Sequence, residues 1–141
     1  MAVYLLDTTT FSHLMRDDTN VRARVRALAA VDRLAISSTV RGEILYGIER
    51  LPQGQRRQAL EAKAQQLFGA VACEAVEPAV ADQYARLKRA AERAGTALDE
   101  NDLWIAATAQ ALGAVLVTAD SDFSRLPVLT LDDWTSTGPT P

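Results

Sequence analysis

Short apolar runs alternate with longer segments of helical periodicity along most of this chain, and this alternation restricts the fold more than any other feature. The strand-like runs lie at 3–6, 34–36, 71–76 and 115–118, with a fifth candidate at 128–131. The helical segments lie at about 8–16, 20–30, 38–51, 55–68, 78–94 and 99–112. Strands that alternate with helices favour an α/β fold with a mainly parallel sheet and helices on both faces.

The size of the chain suits one domain. Of its 141 residues, 48% are hydrophobic, which is enough for a buried core. We expect the domain to span residues 1–134 and the polar tail 135–141 to be disordered. No apolar run is as long as a membrane span, and the first residues do not resemble a signal peptide, so we expect a cytoplasmic protein that does not bind membranes. The net charge of −3 argues against a general DNA coat, but not against a nucleic-acid enzyme.

Several residues predict where helices begin and end. One of the threonines at 8–10 is expected to cap the first helix, Asn20 the second and Asp99 the last. Gly95 and Gly113 are expected to stop the fifth and sixth helices.

The counts of cysteine and histidine exclude several kinds of chemistry. The single Cys73 excludes an internal disulfide, and its apolar neighbours predict that it is buried. With only His13, the chain lacks ligands for an ordinary structural zinc site and for a paired-histidine ribonuclease. A Ser-His-Asp or Cys-His device would need the same His13, which is expected at the surface. No phosphate-binding glycine loop is present.

Four carboxylates stand where an apolar strand or a helix begins or ends. Asp7 follows the first strand, Asp120 follows the fourth, and Glu43 and Asp102 lie near helix starts. Ligands of parallel α/β sheets bind beyond the carboxyl ends of the strands, where the strand order reverses. If the first and fourth strands are neighbours there, the topology brings all four acids to one crevice.

Each acid taken alone also has a structural explanation. Asp102 resembles part of a capping box after Asp99, Glu43 suits the positive end of a helix, and Asp120 suits a turn. Asp7 is the hardest to explain in this way, because four apolar residues end directly on its charge. Only the joint pattern of the acids favours a functional site.

Gathered carboxylates need a counter-charge, because like charges raise one another's pKa. Mg²⁺ or Mn²⁺ supplies that charge, polarises a neighbouring phosphate and lowers the pKa of a bound water. The residues therefore predict metal-dependent chemistry on phosphate, with one ion or two.

Four motifs resemble those of the PIN-domain ribonucleases and, within them, the VapC toxins of bacterial toxin–antitoxin modules. In chain order they are Leu5-Leu6-Asp7-Thr8, Gly42-Glu43-Ile44-Leu45-Tyr46-Gly47, Asn101-Asp102-Leu103-Trp104-Ile105-Ala106-Ala107 and Leu116-Val117-Thr118-Ala119-Asp120-Ser121-Asp122-Phe123. The resemblance spans nearly the whole chain. It implies a three-layer α/β/α sandwich with a mainly parallel central sheet, and an endoribonuclease that depends on Mg²⁺ or Mn²⁺.

The resemblance also implies roles for particular residues. Asp7 and Asp102 would be the first metal ligands, while Glu43 and Asp120 would bind a second ion or metal-bound waters. These four acids would be the catalytic quartet. The supporting residues would be Thr8, Thr118, Asp99 and Asp122.

Three partners follow from the same resemblance: an RNA substrate such as tRNA or rRNA, a cognate VapB-type antitoxin, and a second copy of the chain in a homodimer. In VapC-like toxins the C-terminal segment of the antitoxin lies in an apolar groove and obstructs the acidic site. The expected groove residues are Leu14, Leu45, Ile48 and Leu51.

Two alternatives remain open from the sequence. A non-catalytic PIN-like module would bind RNA or protein without cutting. A receiver domain or an aspartate-nucleophile phosphatase would need a lysine near the pocket, whereas Lys63 and Lys88 are predicted in helices away from the strand ends. The phosphatase would also carry a second aspartate where this chain has Thr9.

Overall fold

A computed structural model describes residues 1–136, which form a five-stranded sheet and six α-helices. The strands are β1 (Val3–Leu6), β2 (Arg33–Ser37), β3 (Ala72–Glu74), β4 (Val115–Val117) and β5 (Thr130–Asp132). The helices are α1 (Thr8–Met15), α2 (Thr19–Arg26), α3 (Ser38–Glu49), α4 (Gln55–Phe68), α5 (Pro78–Arg93) and α6 (Glu100–Leu112). A 3₁₀ turn, Ser121–Arg125, follows β4.

All neighbouring strands are parallel, in the order β3-β2-β1-β4-β5. Leu5 of β1 pairs with Ala35 of β2 on one side and with Leu116 of β4 on the other. The strand order therefore reverses between β1 and β4, which confirms the arrangement that the acids require. Right-handed crossovers place α1–α4 on one face of the sheet and α5 and α6 on the other, giving the expected three-layer sandwich.

The central strands are apolar because helices cover both of their faces. Leu5, Leu6, Ile36, Leu116 and Val117 are each 0% exposed. Burial of one such side chain contributes roughly 1.5–3 kcal/mol. This packing fixes the carboxyl ends of β1 and β4, where the candidate site begins.

Carboxylates cap the first two helices, which differs from the prediction. Asp7 caps α1 by accepting the N–H of Thr10 at 2.8 Å. Asp18, rather than Asn20, caps α2 by accepting the N–H of Val21 at 3.0 Å. The predicted hydroxyl and amide caps were wrong because a carboxylate lies one to three positions earlier in each case and also suits the positive helix end. Helix α2 also ends at Arg26, earlier than predicted.

The other helix ends agree better with the sequence. Ser37 caps α3 through its hydroxyl, and Gly95 and Gly113 adopt left-handed φ values of 69° and 63° just after α5 and α6. Asp99 occupies the capping position of α6, but its side chain makes no capping hydrogen bond. Among the helices within residues 1–136, none is long and apolar enough to cross a membrane.

Two strands of the sheet are shorter than expected. Strand β3 covers only part of the predicted run 71–76, and β4 ends at Val117, one residue early. Cys73 is exposed, so the prediction that it is buried was wrong. It lies on β3, which is an edge strand that is paired on one side only.

Ordered contacts extend slightly past the predicted domain boundary. Trp134 is 1% exposed, and its Nε1 donates to Oδ2 of Asp132 at 3.1 Å. The carbonyl of Thr135 accepts the side-chain amide of Asn20 at 2.9 Å. The rest of the predicted disordered tail, 137–141, lies outside the described residues.

Candidate active site

Asp7 lies directly after β1 and is only 5% exposed. Its Oδ1 accepts the N–H of Thr10 at 2.8 Å, and its Oδ2 accepts the hydroxyl of Thr118 at 2.6 Å. Its own N–H donates to the carbonyl of Val117 at 3.0 Å, which joins the end of β1 to the end of β4. Asp7 therefore has a structural role that the sequence did not indicate. A carboxylate has about four lone-pair sites, so further ligands remain possible.

Thr118 links Asp7 to Asp120 through one hydroxyl. Besides donating to Asp7, this hydroxyl accepts the N–H of Asp120 at 3.0 Å. Asp120 then caps the 3₁₀ turn by accepting the N–H of Asp122 at 2.9 Å. The side chain of Asp122 pairs instead with Arg125 at 3.8 Å. Asp122 therefore contributes its backbone, and not its carboxylate, to the local geometry.

Glu43 projects from α3 and is half-buried. Its Oε1 accepts the hydroxyl of Thr8 at 2.6 Å. Thr8 is the first residue of α1 and directly follows Asp7. The end of β1 therefore positions Asp7 directly and Glu43 of α3 through the Thr8 hydroxyl. Thr8 thus orients Glu43 through its hydroxyl.

Asp102 lies half-buried in the first turn of α6. Its pKa is raised to about 6, first by burial and then by the negative charges of Asp99, Asp120, Glu43 and Asp7. Charges act on one another this clearly only when they are close, because water screens longer distances. The fold therefore brings acids from four separate segments close to Asp102.

The other three acids of the predicted quartet thus lie close enough to Asp102 to raise its pKa, and each predicted threonine hydrogen-bonds to one acid of the quartet. Asp99 adds a fifth negative charge, while the side chain of Asp122 is directed to Arg125. The sequence reasoning missed Thr10 as the partner of Asp7. Thr10 is 1% exposed, and its hydroxyl also donates to the carbonyl of Val117 at 3.2 Å. The sequence did contain a signal for this contact, because an aspartate three residues before a threonine at a helix start has the spacing of an N-cap hydrogen bond.

The chemistry of the donors fits a hard divalent cation. They are carboxylate oxygens, which Mg²⁺ and Mn²⁺ favour. Within residues 1–136, no group of three or more His, Cys, Asp or Glu side chains is arranged so that it could hold a metal ion. Mg²⁺ does not usually need such a group, because one or two carboxylates hold it and it keeps several waters. The repulsion that raises the pKa of Asp102 is also what such a cation relieves.

A mainly apolar groove of about 240 Å³ adjoins the acids, since Thr8 and Glu43 belong to its lining. The other lining residues are Ser12, Met15, Arg16, Ile44, Gly47, Ile48, Leu51, Arg56 and Leu60. The groove therefore combines apolar side chains from α1, α3 and α4 with two arginines.

Two of the four expected groove residues are in this lining, namely Ile48 and Leu51. The other two are not. Leu14 is 7% exposed and belongs to the core, and Leu45 is absent from the lining. Neighbouring positions on a helix point about 100° apart, so Leu45 cannot share the direction of Ile44.

Comparisons with known proteins agree with this geometry. Residues 4–129 match the family model of the PIN domain. Ribonuclease VapC1 of Haemophilus influenzae (strain R2866) is 30% identical over 139 residues, which covers 94% of this chain and 98% of that protein.

Two solved structures are similar over nearly their whole length. VapBC2 from Rickettsia felis, bound to a DNA fragment from its promoter, has a TM-score of 0.86 and 26% identity, covering 94% of this chain and 98% of that one. VapBC-1 from nontypeable Haemophilus influenzae has a TM-score of 0.83 and 27% identity, covering 95% and 99%. The acids, their threonine partners and these similarities lead to one conclusion: the chain belongs to the PIN-domain family and is of the VapC type.

Proposed function

We propose that this protein is a metal-dependent endoribonuclease and the toxin of a toxin–antitoxin module. It hydrolyses RNA phosphodiester bonds with a water activated at the acidic crevice, and tRNA and rRNA are the candidate substrates. It acts in the cytoplasm, where these RNAs are. Its relative VapC1 carries the name ribonuclease, which supports the activity.

The observation that carries the proposal is the grouping of acids from four segments of the chain near Asp102, together with the hydrogen bonds that Thr118 and Thr8 donate to Asp7 and Glu43. Burial is the largest cause of the raised pKa of Asp102, and the charges of Asp99, Asp120, Glu43 and Asp7 raise it further. Repulsion among neighbouring acids lowers stability, and perturbed pKa values of this kind concentrate at functional sites. Binding of a cation and a phosphate would account for this cluster of acids, whereas a contribution to the stability of the fold would not.

The four acids of the quartet would have different roles. Asp7 and Asp102 would hold Mg²⁺ or Mn²⁺, and Glu43 and Asp120 would hold a second ion or orient metal-bound water. When bound, such an ion polarises the scissile phosphate and lowers the pKa of a water. The Thr118 hydroxyl keeps Asp7 in one orientation, so this ligand is preorganised. The N-terminus of α6 favours a phosphate beside Asp102.

The apolar groove supports a VapB-type antitoxin as partner. Both structural neighbours described above are VapBC proteins. An antitoxin segment with apolar anchors would contact Ile48 and Leu51, and a basic residue of that segment would reach Glu43. We expect Leu51→Glu to weaken capture of a co-expressed antitoxin while RNA cleavage is retained. Loss of cleavage with unchanged capture would contradict this assignment.

The proposal also includes a homodimer. Light scattering of the purified protein measures its mass directly. A monomer at concentrations where the enzyme is active would remove this part of the proposal without affecting the site.

The main test is cleavage of total cellular RNA by purified protein, free of antitoxin, with Mg²⁺ or Mn²⁺ and then with EDTA. Asp7→Asn is the matched variant. The asparagine oxygen can still accept the N–H of Thr10, and its amide can donate to the hydroxyl oxygen of Thr118, so the negative charge changes while the cap remains. Asp82→Asn, on the exposed surface of α5, makes the same charge change away from the crevice.

Discrete fragments with wild type and Asp82→Asn, absent with EDTA and with Asp7→Asn, support the proposal. Cleavage that persists in EDTA and in Asp7→Asn overturns the metal mechanism. If folded wild-type protein binds metal and cuts no cellular RNA, the non-catalytic PIN-like module becomes the better explanation.

The aspartate-nucleophile alternatives receive no support from the two lysines. Lys63 pairs with Asp17 at 2.9 Å, and Lys88 pairs with Glu100 at 2.6 Å. Both ammonium groups are therefore occupied by carboxylates instead of being directed at a phosphate.

A further inference from the structure

A second crevice, of about 600 Å³, also reaches the acidic site. Its lining includes Thr8 and Glu43, which belong to that site, and Asn101, which precedes Asp102. Two larger side chains also line it: Tyr46 of α3 and Arg50, the residue directly after α3. A ligand with a phosphate bound beside the acids would therefore occupy this crevice and extend along α3.

Tyr46 and Arg50 form a pair that the fold does not use. The Tyr46 side chain is 64% exposed, and the guanidinium carbon of Arg50 lies 5.6 Å from the centre of its ring. Arg50 is exposed and, within residues 1–136, lies at ion-pair distance from no carboxylate. An aromatic face and a guanidinium at this separation attract each other weakly, and both remain open to a ligand.

Two glycines in the same helix leave space beside this pair. Gly42 and Gly47 both line the crevice, and a Cβ at either position would meet no atom within 4 Å. Alanine is the better helix former, so the fold itself has no need for glycine at these exposed helical positions. Glycine instead allows a ligand to approach the helix backbone closely.

We propose that Tyr46 and Arg50 form a nucleotide-binding subsite, in which the base of a single-stranded RNA nucleotide next to the scissile phosphate stacks on Tyr46. Arg50 binds the phosphate of that nucleotide, and the surface of Gly42 and Gly47 admits its sugar. A nucleotide carries both a flat aromatic face and an anionic phosphate, which match this aromatic–guanidinium pair. The subsite rests on the proposed function, because the acids define where the scissile phosphate lies.

The test measures binding separately from cleavage. A short single-stranded RNA of mixed sequence with a fluorophore is titrated, with Mg²⁺ present, into the Asp7→Asn protein, and its anisotropy is recorded. Tyr46→Ala should weaken binding by about tenfold, the order expected for one lost base–aromatic stack. Tyr46→Phe should bind almost as the parent does, because it keeps the ring. Circular dichroism verifies that each variant is folded.

Arg50→Ala has a matched control in Arg26→Ala. Both arginines are exposed and both changes remove one positive charge, but Arg26 lies at the end of α2, outside the lining of this crevice. Arg50→Ala should weaken binding and reduce its salt dependence, whereas Arg26→Ala should change neither. In the cleaving protein, Tyr46→Ala should raise KM more than it lowers kcat.

Equal effects of Arg50→Ala and Arg26→Ala, together with unchanged binding by Tyr46→Ala, would overturn the subsite even if the protein cleaves RNA. A change in oligomeric mass caused by Tyr46→Ala, with RNA binding unchanged, would overturn it in favour of a contact between copies of the chain. If binding depends on Tyr46 and Arg50 but wild-type protein cuts no RNA, the subsite stands and the nuclease proposal fails.

Discussion

The hydroxyl of Thr118 donates a 2.6 Å hydrogen bond to Oδ2 of Asp7, although the two residues are 111 positions apart in the sequence. Asp7 directly follows β1 and Thr118 directly follows β4, so the bond exists because these strands are neighbours. The same hydroxyl accepts the N–H of Asp120. One side chain therefore positions two of the acids.

Thr118→Val should lower the free energy of unfolding by about 1–3 kcal/mol, because a buried carboxylate oxygen and a backbone N–H each lose a partner. Thr118→Ser, which keeps the hydroxyl, should cost less. Urea denaturation measures both changes. Thr108→Val is the control, since Thr108 is also buried but its hydroxyl donates only to the carbonyl of Trp104 within α6. Equal losses for the two valine variants would contradict a special role of Thr118.

Asp102 should titrate near pH 6 in the folded protein, as measured by NMR of its carboxyl carbon. Its pKa in the folded state lies above the ordinary value of 3.8, so the native state holds this proton more tightly than the unfolded state. The contribution of Asp102 to stability should therefore decrease as pH rises from about 4 to about 6, and then stay constant. The difference in unfolding free energy between wild type and Asp102→Asn isolates this effect from other groups.

Divalent metal should reverse that shift. Mg²⁺ favours the ionised carboxylate, so its addition should move the titration of Asp102 to lower pH. The titration of Asp102 in metal-free buffer with EDTA gives the reference. An Asp102 titration that is indifferent to Mg²⁺ at concentrations that support RNA cleavage would remove Asp102 from the metal ligands.

Gly42→Ala and Gly47→Ala should each raise the free energy of unfolding by about 0.5–1 kcal/mol, because alanine is the better helix former and the added methyl group meets no atom. Gly113→Ala should do the opposite and cost about 1–2 kcal/mol, since Gly113 has a φ of 63° after α6. Thermal unfolding of the three variants gives the comparison. Destabilisation by all three would mean that Gly42 and Gly47 are required by the fold.

Trp134→Ala should lower the free energy of unfolding by about 3–5 kcal/mol, the usual cost of removing a buried aromatic side chain. The Trp134 ring lies 5.4 Å from that of Tyr4, and its Nε1 donates to Asp132 of β5. Trp134→Phe keeps the ring contact and should cost less. Chemical denaturation checks both values. A loss below about 0.5 kcal/mol for Trp134→Ala, typical of surface changes, would show that the C-terminal segment adds little to the core.

The local sequence determined much of the secondary structure. Apolar runs such as Val3–Leu6 formed strands because only a site buried on both faces suits them, and Gly95 and Gly113 ended helices because they tolerate a left-handed backbone. The same patterns indicated a parallel α/β sheet. Three of the four acids were also recognisable, since Asp7, Asp102 and Asp120 stand at the end of a strand or the start of a helix. Glu43 was expected in a first helical turn but lies in the second turn of α3.

Tertiary structure decided what those acids do. Neither the capping of α1 by Asp7 nor the turn of the Asp122 side chain towards Arg125 was apparent from the sequence. The strand order placed β4 beside β1, and only then could Thr118 reach Asp7. The pKa of Asp102 is raised first by burial and by its neighbour Asp99, and then by three charges that are distant in the sequence, those of Asp120, Glu43 and Asp7. Periodicity and capping depend on residues a few positions apart, and the sequence contains them directly. Hydrogen bonds and electrostatic repulsion depend on distance in space, which the packing of the whole chain sets.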